Sequence, residues 1–397
     1  MLFVFITHIE YRPVQPDSSR MAPTAAVVRR LSSNPKTEAI EQMTILGLDI
    51  GGANIKAADA TGRAVSRPFA IWRQPEQLKD QIASILKSFP QTQRLALTMT
   101  AELADCFSTK SEGVRFIIDA VETCINVSLS GRSVACNSSE QTPRSNLRTW
   151  TTDGQFVNPD EARASTMRVA AANWHALATW SMKFAPSGSG VLIDIGTTTT
   201  DIIPFKDGKP VPLGLTDVSR LQSGELSYSG VSRTPLCAVA HSVPFQNGYC
   251  SLASEVFATT LDVHLLLGDI AENSQELDTA NGKPATKQAA HDRIVRMLCC
   301  DRDEVSFEQA VQMARFLADV QRQRLAGSLE RVLNRLSLPC STIIVSGSGS
   351  FLARQLIQEN RKTKDATVIS LAEQFSSGIA EAACAYAVAQ LASESHR

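Results

Sequence analysis

The sequence lacks several features that mark specialised classes of protein. No apolar run reaches the roughly 18 residues that a membrane-spanning helix needs, and the nine cysteines include no C-x-x-C pair. Neither a disulfide framework nor a standard zinc site is therefore indicated, and a soluble protein of the reducing cytoplasm is expected. The 39 basic and 40 acidic residues nearly cancel, so we expect neither nucleic acid nor a membrane surface as a partner.

Two common nucleotide-binding motifs are also missing. The chain contains neither a P-loop pattern nor the glycine-rich fingerprint of dinucleotide-binding folds. These absences count against the main rival nucleotide folds. Because the chain has almost no net charge, any anionic ligand must be held by local contacts.

Length and composition predict a globular protein with two cores. The chain has 397 residues, of which 43% are hydrophobic and 20% charged, and single cores stop growing near about 250 to 300 residues. We predict a first lobe over residues 44–188 and a second lobe over 189–392 that includes a closing C-terminal helix. Residues 1–43 are predicted to be a disordered tail, or to lie upstream of a true start at Met43.

Hydrophobic periodicity alternates between strand and helix along the chain, which predicts an α/β fold. Strands are predicted at residues 44–49, 56–60, 94–100, 132–136, 191–195, 200–205 and 341–346. Helices are predicted at residues 77–89, 114–129, 160–184, 252–267, 306–336 and 376–391.

Three of the apolar strands end in a glycine turn. Their sequences are LGLDIGGAN (46–54), LIDIGTTTTD (192–201) and IIVSGSG (343–349). Glycine lets backbone N–H groups approach phosphate oxygens closely, and threonine hydroxyls add donors. A single turn of this kind is equally compatible with an ordinary strand turn that binds no ligand. Lys56 is equally compatible with a solvated strand residue. The residues predicted to bind phosphate in the first two turns are Gly51, Gly52, Asn54, Lys56, Gly196, Thr197, Thr198 and Thr199.

An aspartate precedes the glycines in each of the first two turns. A carboxylate repels phosphate, so Asp49 and Asp194 are predicted to hold Mg²⁺ through oxygen atoms or water. In their order and spacing, the three turns resemble the phosphate-1, phosphate-2 and adenosine motifs of the actin/hexokinase/sugar-kinase superfold. The resemblance implies a two-lobed, actin-like ATPase fold with duplicated ribonuclease H-like lobes. It makes Ser346, Gly347 and Gly349 the third, nucleotide-like motif.

Five further strings narrow the resemblance. They are TMTAELADCF (98–107), GELSYSGVSRTPL (224–236), SEVFATT (254–260), LLLGD (265–269) and DTANGKPAT (278–286). Together they resemble the hydantoinase/oxoprolinase-related proteins linked to tetrahydromethanopterin C1 transfer, whose archaeal relatives are condensing enzymes of methanofuran biosynthesis. The resemblance implies a transferase that joins an aminomethylfuran methyl diphosphate to the phenol of a tyramine-derived acceptor and releases pyrophosphate.

That chemistry suggests roles for four more residues. Glu102 and Asp105 follow a predicted strand and are the candidate bases for the phenol proton, although acids are equally favoured at a helix N-terminus. Arg233 with Thr234 is predicted to bind the diphosphate or an acidic substrate tail, with a surface salt bridge as the alternative. His264 has no metal-ligand partner at useful spacing and is interpreted as a packing histidine.

Two other functions stay open at this stage. An ATP-dependent kinase or a hydrolase of the oxoprolinase type would use the third turn for adenosine. An actin-like assembly protein would need a self-complementary surface, and the sequence offers no exposed apolar repeat that marks one. Whether ATP binds, which acceptor is used and whether the chain forms homo-oligomers are likewise left open.

Overall fold

The first sheet carries the first glycine turn. The computed structural model describes residues 44–130 and 146–395. The strands of the first sheet are β1 (Ile45–Ile50), β2 (Asn54–Asp59), β3 (Ala64–Pro68), β4 (Arg94–Met99), β5 (Leu147–Trp150) and β6 (Phe156–Val157). In this sheet β1 pairs antiparallel with β2 and parallel with β4, and the strand order is β3-β2-β1-β4-β5-β6.

The second sheet carries the other two turns. The remaining strands are β7 (Ser189–Ile195), β8 (Thr200–Lys206), β9 (Lys209–Pro210), β10 (Leu226–Ser227), β11 (Ser242–Phe245), β12 (Gly248–Ser251), β13 (Thr342–Ser346) and β14 (Thr367–Ser370). In the second sheet β7 pairs antiparallel with β8 and parallel with β13, and the order is β10-β8-β7-β13-β14, with β9 also pairing with β8. A separate hairpin is formed by β11 and β12.

Both sheets are built on one plan. A buried central strand, β1 or β7, has an antiparallel hairpin on one side and two successive parallel strands on the other. This duplication confirms the predicted α/β class with its two-lobed, actin-like architecture. The described residues all fall within one compact unit, Met43–Arg397, and the lobe boundaries at residues 188 and 189 stay predictions.

Helices cover the faces of the sheets. The apolar spacing of α1 (Leu78–Ser88) buries Leu78, Ile82, Ile85 and Leu86, as expected of an amphipathic surface helix. Within residues 44–130 and 146–395, every helix is too short or too polar to span a bilayer. The helices are α1 (Leu78–Ser88), α2 (Lys110–Ser130), α3 (Pro159–Ala164), α4 (Thr166–Val169), α5 (Asn173–Ser181), α6 (Asp217–Ser223), α7 (Leu236–Val239), α8 (Thr260–Leu267), α9 (Lys287–Arg296), α10 (Phe307–Leu333), α11 (Ser350–Glu359), α12 (Leu371–Gln374), α13 (Ser377–Glu381) and α14 (Ala383–Glu394), with short 3-10 helices at Pro75–Gln77, Ala101–Leu103 and Met182–Phe184.

The last helix returns to the first sheet. Helix α14 packs on β1, β2 and β4, although its position in the sequence placed it in the second lobe. The contact is so close that a Cβ added at Gly47 would stand 1.9 Å from the carbonyl oxygen of Ala385. A glycine in β1 facing an alanine-rich helix therefore allows backbone to approach backbone.

Several predicted helices differ from those observed. The helix expected over residues 160–184 is divided into α3, α4 and α5, and Ala171 between the last two has a positive φ of 47°. The helix expected from residue 252 begins only at Thr260, because the Thr259 N–H donates to the Asp262 carboxylate at 2.9 Å and caps the helix there. The helix expected over residues 376–391 is two helices, and the strand expected at 132–136 lies outside the described residues.

Candidate active site

The turns after β1 and β7 share one hydrogen-bonded geometry. The Gly51 N–H donates to the Asn54 carbonyl, and the Gly196 N–H to the Thr199 carbonyl, both at 2.9 Å. These two glycine amides therefore close the turns and are not available to a ligand. A Cβ added at Gly52 would meet nothing within 4 Å, so the space in front of the first turn is open.

Other backbone donors of the two turns remain available. Within the described residues, the N–H groups of Gly52, Thr197 and Thr198 donate to no backbone or side-chain acceptor. Thr197 is exposed and Thr198 is half-buried. The turns can thus offer amides and hydroxyls to an anion, and the predicted phosphate contacts stay predictions.

Two carboxylates stand at the ends of the central strands. Asp49 is 7% exposed and its Oδ1 atom has no hydrogen-bond partner. Burial raises the pKa of Asp49 to about 6, against the opposing charge of Lys56. Burial and the charge of Asp201 raise the pKa of Asp194 to about 6, while Ser346 and Lys56 lower it and Asp49 raises it further. Because the charges of Asp49 and Lys56 both act on Asp194, the ends of β1 and β7 lie within electrostatic reach of each other.

The third turn lies next to Asp194. Ser346 is paired with Asp194 in the register of β13 and β7 and acts to lower the pKa of its carboxyl, and the Gly349 N–H donates to the Ile195 carbonyl at 2.8 Å. Gly347 has a φ of +85°, and a Cβ there would lie 2.6 Å from Asp194 Oδ1, so glycine is required on both counts. The structure brings the third motif to the second carboxylate, and its nucleotide-binding role stays a prediction.

Residues 229–234 lie against the turn after β7. The Arg233 N–H donates to the Thr197 carbonyl at 2.9 Å, and a Cβ added at Gly230 would lie 2.5 Å from the Thr197 carbonyl carbon. Thr234 is buried, and its hydroxyl accepts from the Gly230 N–H at 3.0 Å. The Thr234 hydroxyl thus holds the segment in place.

The Arg233 side chain contacts Asp278 and Trp72. Its Nη1 atom lies 3.0 Å from Asp278 Oδ2, and its guanidinium carbon is 5.3 Å from the centroid of the Trp72 ring. Trp72 follows Ile71, whose N–H donates to the carbonyl of Gly52 at 3.1 Å in the first turn. The salt bridge considered as an alternative is therefore present, between Arg233 and Asp278.

A second group of charged residues comprises Glu102, Lys110 and Asp217. It lies in the 3-10 helix Ala101–Leu103, is 1% exposed, and its Oε2 atom has no partner. Burial raises the pKa of Glu102 to about 7, with Lys110 lowering it and Asp217 raising it. Lys110 Nζ is 2.8 Å from Asp217 Oδ2, joining α2 to α6. Asp105, the other predicted base, is exposed to solvent.

Sequence reasoning missed the ion pair between Asp201 and Arg220. The Arg220 side chain is 2% exposed, and its guanidinium carbon lies 4.0 Å from the centroid of the Trp174 ring. The signal that could have found this pair is the repeated hairpin, because Asp201 holds the place in β8 that Lys56 holds in β2.

Cys384 was also missed. It lies in the first turn of α14, where burial first, then the charges of Asp49 and Asp194, raise the pKa of its thiol, and Lys56 lowers it. No local sequence pattern marks this residue. Its position depends on the return of the last helix to the first sheet.

Comparison with known proteins decides the family. The sequence profile of the hydantoinase/oxoprolinase family matches residues 94–395. The chain belongs to this family. A curated relative from Methanocaldococcus jannaschii is 32% identical over 354 residues, covering 88% of this chain and 98% of that protein. One from Methanococcus vannielii is 31% identical over 201 residues, covering 51% of this chain and 89% of that protein. Both are named (4-{4-[2-(gamma-L-glutamylamino)ethyl]phenoxymethyl}furan-2-yl)methanamine synthase.

Solved structures resemble this hydantoinase/oxoprolinase protein at low identity. Nucleotide-free acetone carboxylase is 12% identical with a TM-score of 0.48, over 81% of this chain and 67% of that one. Component A of (R)-2-hydroxyglutaryl-CoA dehydratase from Acidaminococcus fermentans is 11% identical with a TM-score of 0.38, over 89% of this chain and 98% of that one.

The two carboxylates of this family member suit a hard cation. Asp49 Oδ1 is a buried oxygen without a partner, which a cation would satisfy. The described residues contain no group of three or more His, Cys, Asp or Glu side chains that could hold a metal. Mg²⁺ usually takes one or two carboxylates and completes its shell with water and substrate phosphates, so the donor set fits Mg²⁺ bound together with a phosphate ligand.

Proposed function

We propose that the chain is a transferase that condenses an aminomethylfuran methyl diphosphate with the phenol of a tyramine-derived acceptor and releases pyrophosphate. The name shared by its two curated relatives describes a furan methanamine joined through a phenoxymethyl ether. Forming that ether requires a phenol oxygen and an activated furylmethyl carbon. The substrates are therefore small molecules.

The observation that carries the proposal is the meeting of two glycine turns and two carboxylates. Amides of Gly52, Thr197 and Thr198 are available as donors, and Asp49 and Asp194 lie within electrostatic reach of each other. The turns would bind the phosphate oxygens of the diphosphate, with Lys56 beside them. Asp49 and Asp194 would hold Mg²⁺, which when bound neutralises the charge of the departing pyrophosphate.

Glu102 is the proposed base. A carboxyl group with a pKa of about 7 is matched to proton transfer near neutral pH. Its carboxylate takes the phenol proton as the phenol oxygen forms a bond to the furylmethyl carbon. The bond from that carbon to the diphosphate oxygen breaks, and the electron pair leaves with pyrophosphate. The buried setting of Glu102 keeps water from the base.

Calorimetric titration of the full chain in Mg²⁺ tests the proposal. Pyrophosphate is expected to bind, and Asp194→Asn is expected to weaken it about tenfold or more by removing a metal ligand. ATP is expected to bind weakly or not at all. Tight binding of ATP without binding of pyrophosphate would replace the proposal with an ATP-dependent kinase or hydrolase.

A product assay provides the second test. Incubation with the furylmethyl diphosphate and γ-glutamyltyramine should give the aryl ether and one pyrophosphate per ether, detected by mass spectrometry and a pyrophosphate assay. Glu102→Gln should abolish ether formation while keeping pyrophosphate binding. Asp105→Asn, the exposed acid in the same segment, is the matched control and is expected to keep activity.

The cytoplasmic location stays part of the proposal. It rests on the scattered cysteines of the sequence, which form no disulfide pattern. Homo-oligomerisation is open to measurement by light scattering.

A further inference from the structure

A chain of buried polar contacts runs behind the turn after β7, and the proposed reaction does not use it. Gln321 in α10 donates through Nε2 to the Gly230 carbonyl at 2.8 Å and to Ser229 Oγ at 3.0 Å. Gln321 Oε1 lies 3.2 Å from His264 Nε2. On the other side of the ring, His264 Nδ1 lies 2.9 Å from Asp269 Oδ2. The chain thus runs from the protein surface to the segment that holds the turn.

The Gln321 amide can face only one way. A backbone carbonyl accepts and never donates, so the amide nitrogen must point to Gly230 and the amide oxygen must point to His264. His264 therefore faces an acceptor at each ring nitrogen, the Gln321 oxygen and the Asp269 carboxylate. The ring is thereby held between Gln321 on one side and Asp269 on the other.

Neighbouring side chains enclose the His264 ring. His264 lies in the last turn of α8. Asp269 follows the same helix, with a side chain 28% exposed against 2% for His264. From α10 the ring meets the uncharged Gln321 amide, and from α11 it meets Phe351, with ring centroids 5.0 Å apart.

We propose that His264 is a positioning residue, which fixes residues 229–233 through Gln321 and so shapes the turn at residues 196–199. The link to the turn is short. Residues 231 and 232 donate backbone N–H groups to the carbonyls of Gly196 and Thr197 at 3.1 and 3.0 Å. The consequence for ligand binding rests on the proposed function, because it requires that the turn binds phosphate.

The positioning role is measured by amide hydrogen exchange, which needs no ligand. Exchange at residues 196–200 and 229–233 should be faster in His264→Gln and Asp269→Asn than in wild type. The matched control is His291→Gln, because His291 is also a buried helical histidine, with Nε2 2.8 Å from the Val305 carbonyl. Unchanged exchange in Asp269→Asn, or an equal rise in His291→Gln, overturns the proposal.

Ligand binding supplies the last readout. Pyrophosphate in Mg²⁺ should bind about tenfold more weakly to His264→Gln and Asp269→Asn, and unchanged to His291→Gln. Equal affinity in all four proteins counts against His264. If wild type binds no pyrophosphate, the proposed function fails, while the exchange rates still decide the role of His264.

Discussion

Lys56 and Asp201 occupy the same position in the two hairpins: Lys56 lies opposite Asp49 in the first sheet, and Asp201 lies opposite Asp194 in the second. The duplicated positions carry opposite charges. Asp201 is paired with the buried Arg220, whereas Lys56 makes no ion pair within the described residues. The second position therefore serves the packing of the lobes, and the first leaves a cation beside the proposed diphosphate.

This asymmetry predicts different results for two substitutions. Asp201→Asn leaves the Arg220 charge buried without its partner and should cost about 3–5 kcal/mol of unfolding free energy. Lys56→Met should cost under about 1 kcal/mol but weaken pyrophosphate binding. Urea unfolding and calorimetry measure both quantities. Equal losses of unfolding free energy in the two variants would contradict the different roles of Asp201 and Lys56.

Ionisation of the buried Glu102 should lower the free energy of unfolding. Its folded pKa of about 7 lies above the ordinary value of 4.5, so the folded state resists ionisation. Between these pH values the unfolded chain ionises first, and wild-type stability falls as pH rises; the full loss is reached above pH 7. Glu102→Gln should remove this loss, gaining on the order of 1–3 kcal/mol at pH 8 and little at pH 4. Thermal unfolding at both pH values measures the gain.

The ion pair of Lys110 with Asp217 should tune the same group. Removing the cation in Lys110→Met should raise the pKa of Glu102, and removing the anion in Asp217→Asn should lower it. The rising limb of the pH–rate profile should move to higher pH in Lys110→Met and to lower pH in Asp217→Asn. Both side chains are about a quarter exposed, at 24% and 25%, so each change should cost under about 1 kcal/mol of stability. Shifts in the same direction would exclude Glu102 as the titrating base.

Arg293 should be required for the fold around residues 278–286. It is fully buried, pairs with Asp262 at 2.7 Å, and donates to carbonyls of Lys283 and Pro284. Arg293→Met should cost about 3–5 kcal/mol, because the carboxylate of Asp262 is left buried and unpaired. Arg302→Met is the control, since Arg302 is half exposed in its own pair with an aspartate of α9, and should cost under about 1 kcal/mol. Chemical denaturation of both variants gives the comparison.

The sequence predicted the hairpins and their glycine turns because strand periodicity and glycine positions are local properties. The division of residues 160–184 was not predictable in this way, since its apolar spacing is helical and the break depends on backbone geometry at Ala171. Among site residues, Asp49, Asp194 and Glu102 could be proposed because each lies at or just after the end of a predicted strand. Asp217 and Cys384 could not, because only the packing of distant segments brings them to the carboxylates.

The packing of α14 on β1 also bears on how the protein is made. A ribosome delivers the first sheet long before the residues that cover one of its faces, Ala383–Glu394, have been synthesised. Until then Gly47 and its neighbours in β1 present an apolar surface to the cell, as nascent chains do before their long-range contacts form. Fragments that stop after the first lobe should therefore aggregate, and chaperones that bind apolar surface should stay attached until the last helix emerges.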